Sequence, residues 1–292
     1  MTAILPEKIT APLLDLLFLD LTRKCQLECV HCYNDSGPRG GHGIMIREDW
    51  IRTIDQAAAQ GVRRIQMIGG EPTMHPDFAE LVTHALNAGI QTEVFSNLVH
   101  VSPANWTLFQ RPGVSLATSY YSDSADEHDA VTGRRSHART RANIVRAVGF
   151  KIPLRVGIIA ASDEQRVAQA RAELESMGVA AERIRVDRAR EFGRAGNEAP
   201  DTANLCGRCG TGRAAVGPDG TVSPCVMSSW MRTGNVQAAT LADILMGPEM
   251  ERANAAIRTT VRAGACDPDA VDDDTEDECT PGVPGSECSP RN

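Results

Sequence analysis

Apolar strand-like runs and amphipathic helical segments alternate six times between Leu13 and Asp187, and this pattern constrains the fold more than any other feature. The runs are Leu13 to Leu21, Arg64 to Ile68, Ile90 to Ser96, Val114 to Tyr120, Pro153 to Ala160 and Arg183 to Asp187. Apolar spacing predicts helices at Ile46 to Gln60, Asp77 to Asn87, Pro103 to Gln110, His137 to Val148 and Glu164 to Met177, with Gly61 and Gly89 as stops. A helix between successive strands is the connection that parallel pairing requires. Right-handed crossovers then give an open doubly wound sheet or an incomplete barrel. In either, functional side chains gather past the C-terminal ends of the strands.

That rim is rich in candidates. Cys25, Cys29 and Cys32 follow the first strand, in a loop from Thr22 to Gly43. Gly69-Gly70-Glu71-Pro72 follows the second, Ser96-Asn97 ends the third and Ser119 closes the fourth. Thiolates at x3 and x2 spacing can converge on one metal centre without a long loop to order. Three ligands on a 4Fe–4S cube leave one iron open to an exogenous ligand; on spacing alone, a zinc knuckle or a chance cluster of thiols is the competing reading.

The 292 residues, 42% hydrophobic, suit one large α/β domain with an appendage or two modest domains. No apolar run reaches membrane-span length and the N-terminus lacks a secretory pattern, so a soluble, cytoplasmic protein without a membrane partner is expected. Nine cysteines, an odd number, cannot all pair within one chain, and their clustering favours metal ligation over disulfides. The net charge of −8 is local: of 38 acids and 30 bases, nine acids and one base fall between Ala263 and Asn292, so the body is balanced. Without a basic excess, and with three Trp, three Tyr and six Phe for stacking, nucleic acid is not an expected partner.

After Gly193 the alternation stops. A linker from Gly196 to Asn204 leads to Cys206-x2-Cys209, and Pro218-Asp219-Gly220 predicts the turn of a β-hairpin ending at Cys225. A last helix is expected from about Leu241 to Arg258. The stretch from Ala263 is low in apolar residues and is expected to be disordered unless Cys266, Cys279 and Cys288 pin it.

With Cys25-x3-Cys29-x2-Cys32 after one strand and Gly69-Gly70-Glu71-Pro72 after the next, Leu13 to Asp187 resembles the radical S-adenosylmethionine (SAM) enzymes. The resemblance implies an α/β fold, a partial (β/α)6 TIM-like barrel, with a small Cys-rich β-hairpin and helix extension. It implies that Cys25, Cys29 and Cys32 ligate a 4Fe–4S cluster whose fourth iron chelates SAM. Gly69, Gly70, Glu71 and Pro72 would form the site for the SAM ammonium, and Ser96, Asn97 and Ser119 would meet its ribose and methionine portions. The fifth strand, around Gly157 to Ile159 with Ile158 at its centre, would flank the adenine. His31 stands where the family usually has an aromatic residue and is expected to pack near the cluster and SAM.

Cys206, Cys209, the Gly-Pro-Asp-Gly turn, Pro224-Cys225 and Gly234-Asn235-Val236 resemble the SPASM/twitch extension, which holds auxiliary 4Fe–4S clusters. A full SPASM domain has a dense run of cysteines after the hairpin; here only Cys266, Cys279 and Cys288 follow. One auxiliary cluster on Cys206, Cys209, Cys225 and Cys266 is therefore expected, with an open three-ligand cluster or a structural zinc as alternatives. Cys279 and Cys288 are left as a hydrogen-atom donor, a further ligand or unused thiols. The expected units are 1–195 (core), 196–262 (auxiliary domain) and 263–292 (acidic tail). The arginines at 134–146 and 183–194 are read mainly as solvated helix faces, with some facing an anion.

The resemblance implies hydrogen abstraction from a substrate. A peptide matured by crosslinking, epimerisation or oxidation comes first, a small molecule of antibiotic or cofactor biosynthesis second. A non-catalytic iron–sulfur or zinc scaffold is the alternative of another class, and Gly69 to Glu71 argue against it. A reductant such as flavodoxin or ferredoxin is implied, and a separate peptide-recognition protein could serve, since no such module is recognisable before Leu13.

Overall fold

The structure is a computed structural model that describes residues 14–196 and 199–260. Six parallel strands form its core: β1 (Leu16–Asp20), β2 (Arg64–Ile68), β3 (Gln91–Phe95), β4 (Val114–Tyr120), β5 (Leu154–Ala160) and β6 (Ile184–Arg188). Each pairs with the next in sequence, the winding of a partial TIM-like barrel rather than of a doubly wound sheet. Helices α1 (Arg47–Ala59), α2 (Phe78–Asn87), α3 (Pro103–Phe109), α4 (Ala125–Thr132), α5 (His137–Gly149) and α6 (Val167–Ser176) make the crossovers.

Strand alternation divides the interior in two. Leu17, Leu19 and Leu21 face the helices and pack with Trp50, Ile54, Leu81, Ile144 and Leu174. Each fully buried aliphatic side chain there contributes roughly 1.5–3 kcal/mol. Leu16, Phe18 and Ile68 face inward and pack with Ala215, Cys209, Cys225 and Ile257. In register, Phe18, Gln66 and Glu93 form one inward row across β1, β2 and β3.

The extension joins the same sheet. β7 (Arg213–Val216) pairs in parallel with β1, and β8 (Thr221–Ser223) and β9 (Gly234–Asn235) follow antiparallel, so β1 is covered on both edges. The Pro218-Asp219-Gly220 turn is formed, with Gly220 at φ +78. The Pro218 carbonyl accepts from Ile44 N at 2.9 Å and Met45 N at 3.1 Å, stitching the hairpin to the loop before α1.

Two elements differ from the sequence reading. Between β4 and α5, where the apolar spacing predicts no helix, lies α4, whose buried face is His128, Val131 and Thr132, too polar to read as a helical stripe. The final helix is two: α7 (Leu241–Leu245) and α8 (Pro248–Thr260). Pro248 cannot continue α7, because its ring clashes with the preceding turn, but it suits the first turn of α8. The expected disorder of the tail falls outside the described residues.

Candidate active site

The loop after β1 is built by backbone hydrogen bonds rather than by regular structure. Cys25 N donates to Gly37 O at 3.1 Å, and Glu28 N and Val30 N donate to Thr132 O and Val131 O, both at 3.0 Å. Thus α4, hidden in the sequence, is what anchors the outer edge of the loop. The sulphurs also accept: Leu27 N lies 3.4 Å from Cys25 Sγ, Ser36 N 3.3 Å from Cys32 Sγ, and Asn97 Nδ2 3.6 Å from Cys25 Sγ. Burial first, and neighbouring thiols with it, pushes Cys25 and Cys29 up to about 12. Such thiols stay protonated at neutral pH unless a cation sits on them, since coordination deprotonates a thiol outright.

Gly69 and Gly70 let the β2 loop lie on the cysteine loop. A Cβ on Gly69 would fall 2.6 Å from Thr22 O, and one on Gly70 2.4 Å from Lys24 O. Gly69 also holds φ +143, a conformation that only glycine adopts without strain. Gly70 N donates to Thr22 O at 2.7 Å and Glu71 N to Lys24 O at 2.9 Å. The buried Glu71 carboxylate accepts from Thr73 N at 3.2 Å, Thr73 Oγ1 at 2.7 Å and Asn97 N at 2.9 Å. Burial raises its pKa against those bonds.

One cavity collects most of the expected residues: Cys25, Cys29, Cys32, His31, Gly69, Gly70, Asn97 and Ser119 all line it. Glu71, Pro72 and Ser96 are buried behind it. Glu71 ties the β2 loop to the β3 loop, Pro72 opens a single helical turn, and Ser96 Oγ accepts from Leu98 N at 3.1 Å. The Ile158 side chain faces the helices, in the outer core, whereas Gly157 and Ile159 line the cavity. Of the expected stretch from Gly157 to Ile159, the two outer residues thus face the cavity and Ile158 does not, because alternation along β5 turns its neighbours inward. His31 packs edge-on against Tyr121 with centroids 5.1 Å apart, and burial lowers its pKa to about 4, leaving a neutral ring.

Cys206, Cys209 and Cys225 line this same cavity. Cys209 Sγ and Cys225 Sγ lie 3.1 Å apart. Hydrogen bonding with Cys206 and Cys225 raises the Cys209 pKa, and the bond from Cys209 lowers that of Cys225. None of the six described cysteines forms a disulfide. The expected fourth ligand, Cys266, lies outside the described residues, as do Cys279 and Cys288.

Sequence reasoning missed the inner wall. Arg155 forks onto Glu93, with Nε to Oε2 and Nη2 to Oε1 both at 2.9 Å, and Gln66 Nε2 donates to Glu93 Oε1. Burial opposes ionisation of Glu93, but Arg155 outweighs it and the pKa falls below the ordinary value. Asp187 and Arg190 form a second buried pair, at 3.1 Å. The available signal was polar residues at alternate positions inside otherwise apolar strands.

A family model for the radical SAM superfamily matches residues 19–167, half of the chain. The chain belongs to the radical SAM superfamily. A second model, for the SPASM iron–sulfur cluster-binding domain, matches residues 206–280. Together they bring a 4Fe–4S cluster, SAM and auxiliary iron–sulfur chemistry to this radical SAM chain. The donor sets fit. Cavity-lining sulphurs accept N–H bonds, and among the described residues no three His, Cys, Asp or Glu crowd closely enough for a single metal ion. Ligands of a cluster bind separate irons and need no such crowding.

The PqqA peptide cyclase of Ruegeria pomeroyi is 29% identical over 156 residues, 53% of this chain and 41% of that protein. Mycofactocin maturase MftC of Mycobacterium ulcerans is 33% identical over 120 residues, 41% of this chain and 32% of that protein. The chain thus spans less than half the length of either. Among solved structures, Streptococcus suis SuiB bound to S-adenosylmethionine superposes with TM-score 0.69 at 15% identity, over 85% of this chain and 68% of that one. At that identity the likeness concerns the fold. No helix among the described residues is long and apolar enough to cross a membrane.

Proposed function

We propose that this chain is a radical SAM enzyme that modifies a peptide. The observation that carries the reading is the single cavity lined both by Cys25, Cys29 and Cys32 and by Cys206, Cys209 and Cys225. Cys25, Cys29 and Cys32 would hold the 4Fe–4S cluster, which would supply the electron for reductive cleavage of SAM to the 5′-deoxyadenosyl radical that abstracts hydrogen from substrate. The chain's own residues position and shield that chemistry. Gly69 and Gly70 bring backbone close to the site. Asn97 and Ser119, which line the cavity, would meet the ribose and methionine portions of SAM, and Gly157 and Ile159 on β5 would flank its adenine. Tyr121 and His31, a neutral pair of rings, pack over the cysteine loop and exclude water.

Cys206, Cys209 and Cys225 would hold one auxiliary cluster, with Cys266 as the fourth ligand. Because these three cysteines line the same cavity, a cluster held there would be able to take the electron left on the substrate, or to bind the substrate. The choice of peptide rests on relatives: a peptide cyclase, a maturase and SuiB, which has been crystallised with its precursor peptide SuiA. Crosslinking, epimerisation and oxidation are the outcomes in reach. The enzyme would act in the cytoplasm, drawing electrons from a flavodoxin or ferredoxin, with a separate protein presenting the peptide.

Anaerobic reconstitution tests the cluster count: about eight irons per chain are expected for two clusters, and about four, or zinc in their place, would remove the auxiliary cluster. Reduced enzyme with SAM and a candidate precursor peptide should release 5′-deoxyadenosine and change the peptide's mass. Release driven by a small molecule but by no peptide would overturn the substrate class. No release under any condition would overturn the enzyme reading.

A further inference from the structure

One residue outside the cysteine loop, on the arm between β6 and the extension, holds that loop at four points. Arg194 N donates to Cys32 O at 3.0 Å. Its side chain donates from Nε to Cys29 O at 2.9 Å, from Nη1 to Asp35 Oδ1 at 3.0 Å and from Nη2 to Ser36 O at 2.6 Å. The guanidinium thus satisfies carbonyls on both sides of Cys32 with a planar fork that lysine cannot copy. Gly193 makes the approach possible: it holds φ +55, and a Cβ there would fall 2.2 Å from Cys32 O. The same arm continues, within about a dozen residues, to the buried Leu205 and to Cys206. Arg194 also lines the shared cavity.

We propose that Arg194 is a positioning residue that fixes the loop from Cys29 to Ser36 in the conformation that receives its cluster, and sets a permanent positive charge beside Cys29. The proposal rests on reading Cys25, Cys29 and Cys32 as cluster ligands, and it goes beyond that reading by giving the arm before the auxiliary cysteines control over the first cluster. Two consequences follow from physical chemistry. A fixed cation near the sulphurs favours the extra electron of the reduced cluster, so it raises the reduction potential. A fork that ties carbonyls on either side of Cys32 restricts how the ligand sulphurs point, as groups behind metal ligands generally do.

The test uses the full chain, reconstituted with iron and sulfide, read by potentiometric titration and by electron paramagnetic resonance of the reduced state with and without SAM. Wild type must first show the SAM-responsive cluster signal; its absence would defeat the ligand reading rather than the role of Arg194. Arg194→Gln is expected to keep its iron while its first cluster shifts to lower potential and its SAM-dependent line shape broadens. 5′-Deoxyadenosine formation should fall about tenfold or more. Arg194→Lys keeps the charge without the fork, so it should restore the potential but not the line shape or the rate. If Arg194→Gln fails to fold, Asp35→Asn serves: Asp35 is 71% exposed and sits at φ +56, which asparagine tolerates. Removing that acid should shift the potential slightly upward, opposite in sign to loss of the arginine. A wild-type potential and line shape in Arg194→Gln would overturn the proposal, and so would an unmoved potential in Asp35→Asn where the arginine variant does not fold.

Discussion

The cysteines at 25–32 and those at 206–225 line one cavity but are held by different means, and the contrast indicates what each is built to do. In the first set, the sulphurs of Cys25 and Cys32 accept backbone N–H groups at 3.4 and 3.3 Å, and the loop around them is pinned by α4, by the β2 glycines and by Arg194. In the second set, the Cys209 and Cys225 sulphurs lie 3.1 Å apart, and Ser228 Oγ accepts from Cys225 N at 2.9 Å. The first set is held by hydrogen bonds from distant parts of the fold, whereas Cys209 and Cys225 are buried against Leu16, Phe18 and Ile257 and bond to each other across the ends of their hairpin. A preorganised loop suits chemistry that demands a fixed geometry, such as placing SAM against one iron. Sulphurs that reach each other across a hairpin suit a site that needs donors but tolerates adjustment.

The largest effect should separate the two sets outright. Cys29→Ala is expected to abolish SAM cleavage and leave the auxiliary iron in place. Cys209→Ala is expected to lose product while 5′-deoxyadenosine still forms, uncoupled from substrate. Iron analysis together with chromatography of 5′-deoxyadenosine and product checks both. Normal turnover by Cys209→Ala would erase the distinction by removing any role for the second set.

A smaller effect tests the claim of preorganisation. Gly70→Ala places a methyl group 2.4 Å from Lys24 O, a main-chain atom that cannot swing aside. The β2 loop must then lift from the cysteine loop. We expect SAM affinity to fall by about tenfold or more, with a stability cost of roughly 1–3 kcal/mol. Isothermal titration with SAM and denaturant unfolding measure the two. Gly212→Ala, in the extension, is the counterpart: its Cβ would meet only Asp15 atoms at 3.8 Å, so its cost should come from φ +66 alone. Equal losses of SAM affinity in both variants would contradict the contrast.

How much of this was legible in the sequence also differs between regions. The strands of the core were readable because apolar runs and glycine stops repeat; β2 and β4 occupy the expected residues. The cavity residues that came from loops, such as Cys25 and Gly69, were readable because their chemistry is local. What was hidden depends on the third dimension. Ile158 and its neighbours could be told apart only once the register placed Gly157 beside Ser119 on the inner face. The tie that the Glu71 carboxylate makes to Thr73 and Asn97 depends likewise on the loops after β2 and β3 meeting in space. Arg194 reads as one more solvated arginine, because nothing local shows that a residue 165 positions downstream meets Cys29. The sheet continuing from β1 into β7 is likewise a contact between distant segments.

The mildest effect concerns acid. All seven histidines precede residue 138, so histidine-linked acid sensitivity belongs to the core and not to the extension. His128 is the clearest case. It is 1% exposed, it packs edge-on against Tyr121 with centroids 5.2 Å apart, and burial lowers its pKa from 6.5 to about 4. The folded state therefore binds fewer protons than the unfolded state between those values. Stability contributed by the neutral ring is full above pH 6.5 and is lost as the pH falls toward 4, by about 2 kcal/mol at pH 5. His128→Phe keeps a ring against Tyr121 and removes the titration. Its urea unfolding free energy should vary less with pH over that interval than that of wild type. A wild-type pH slope in His128→Phe would assign the acid sensitivity elsewhere, and would weaken the view that the packing behind the first cysteine loop is what holds it rigid.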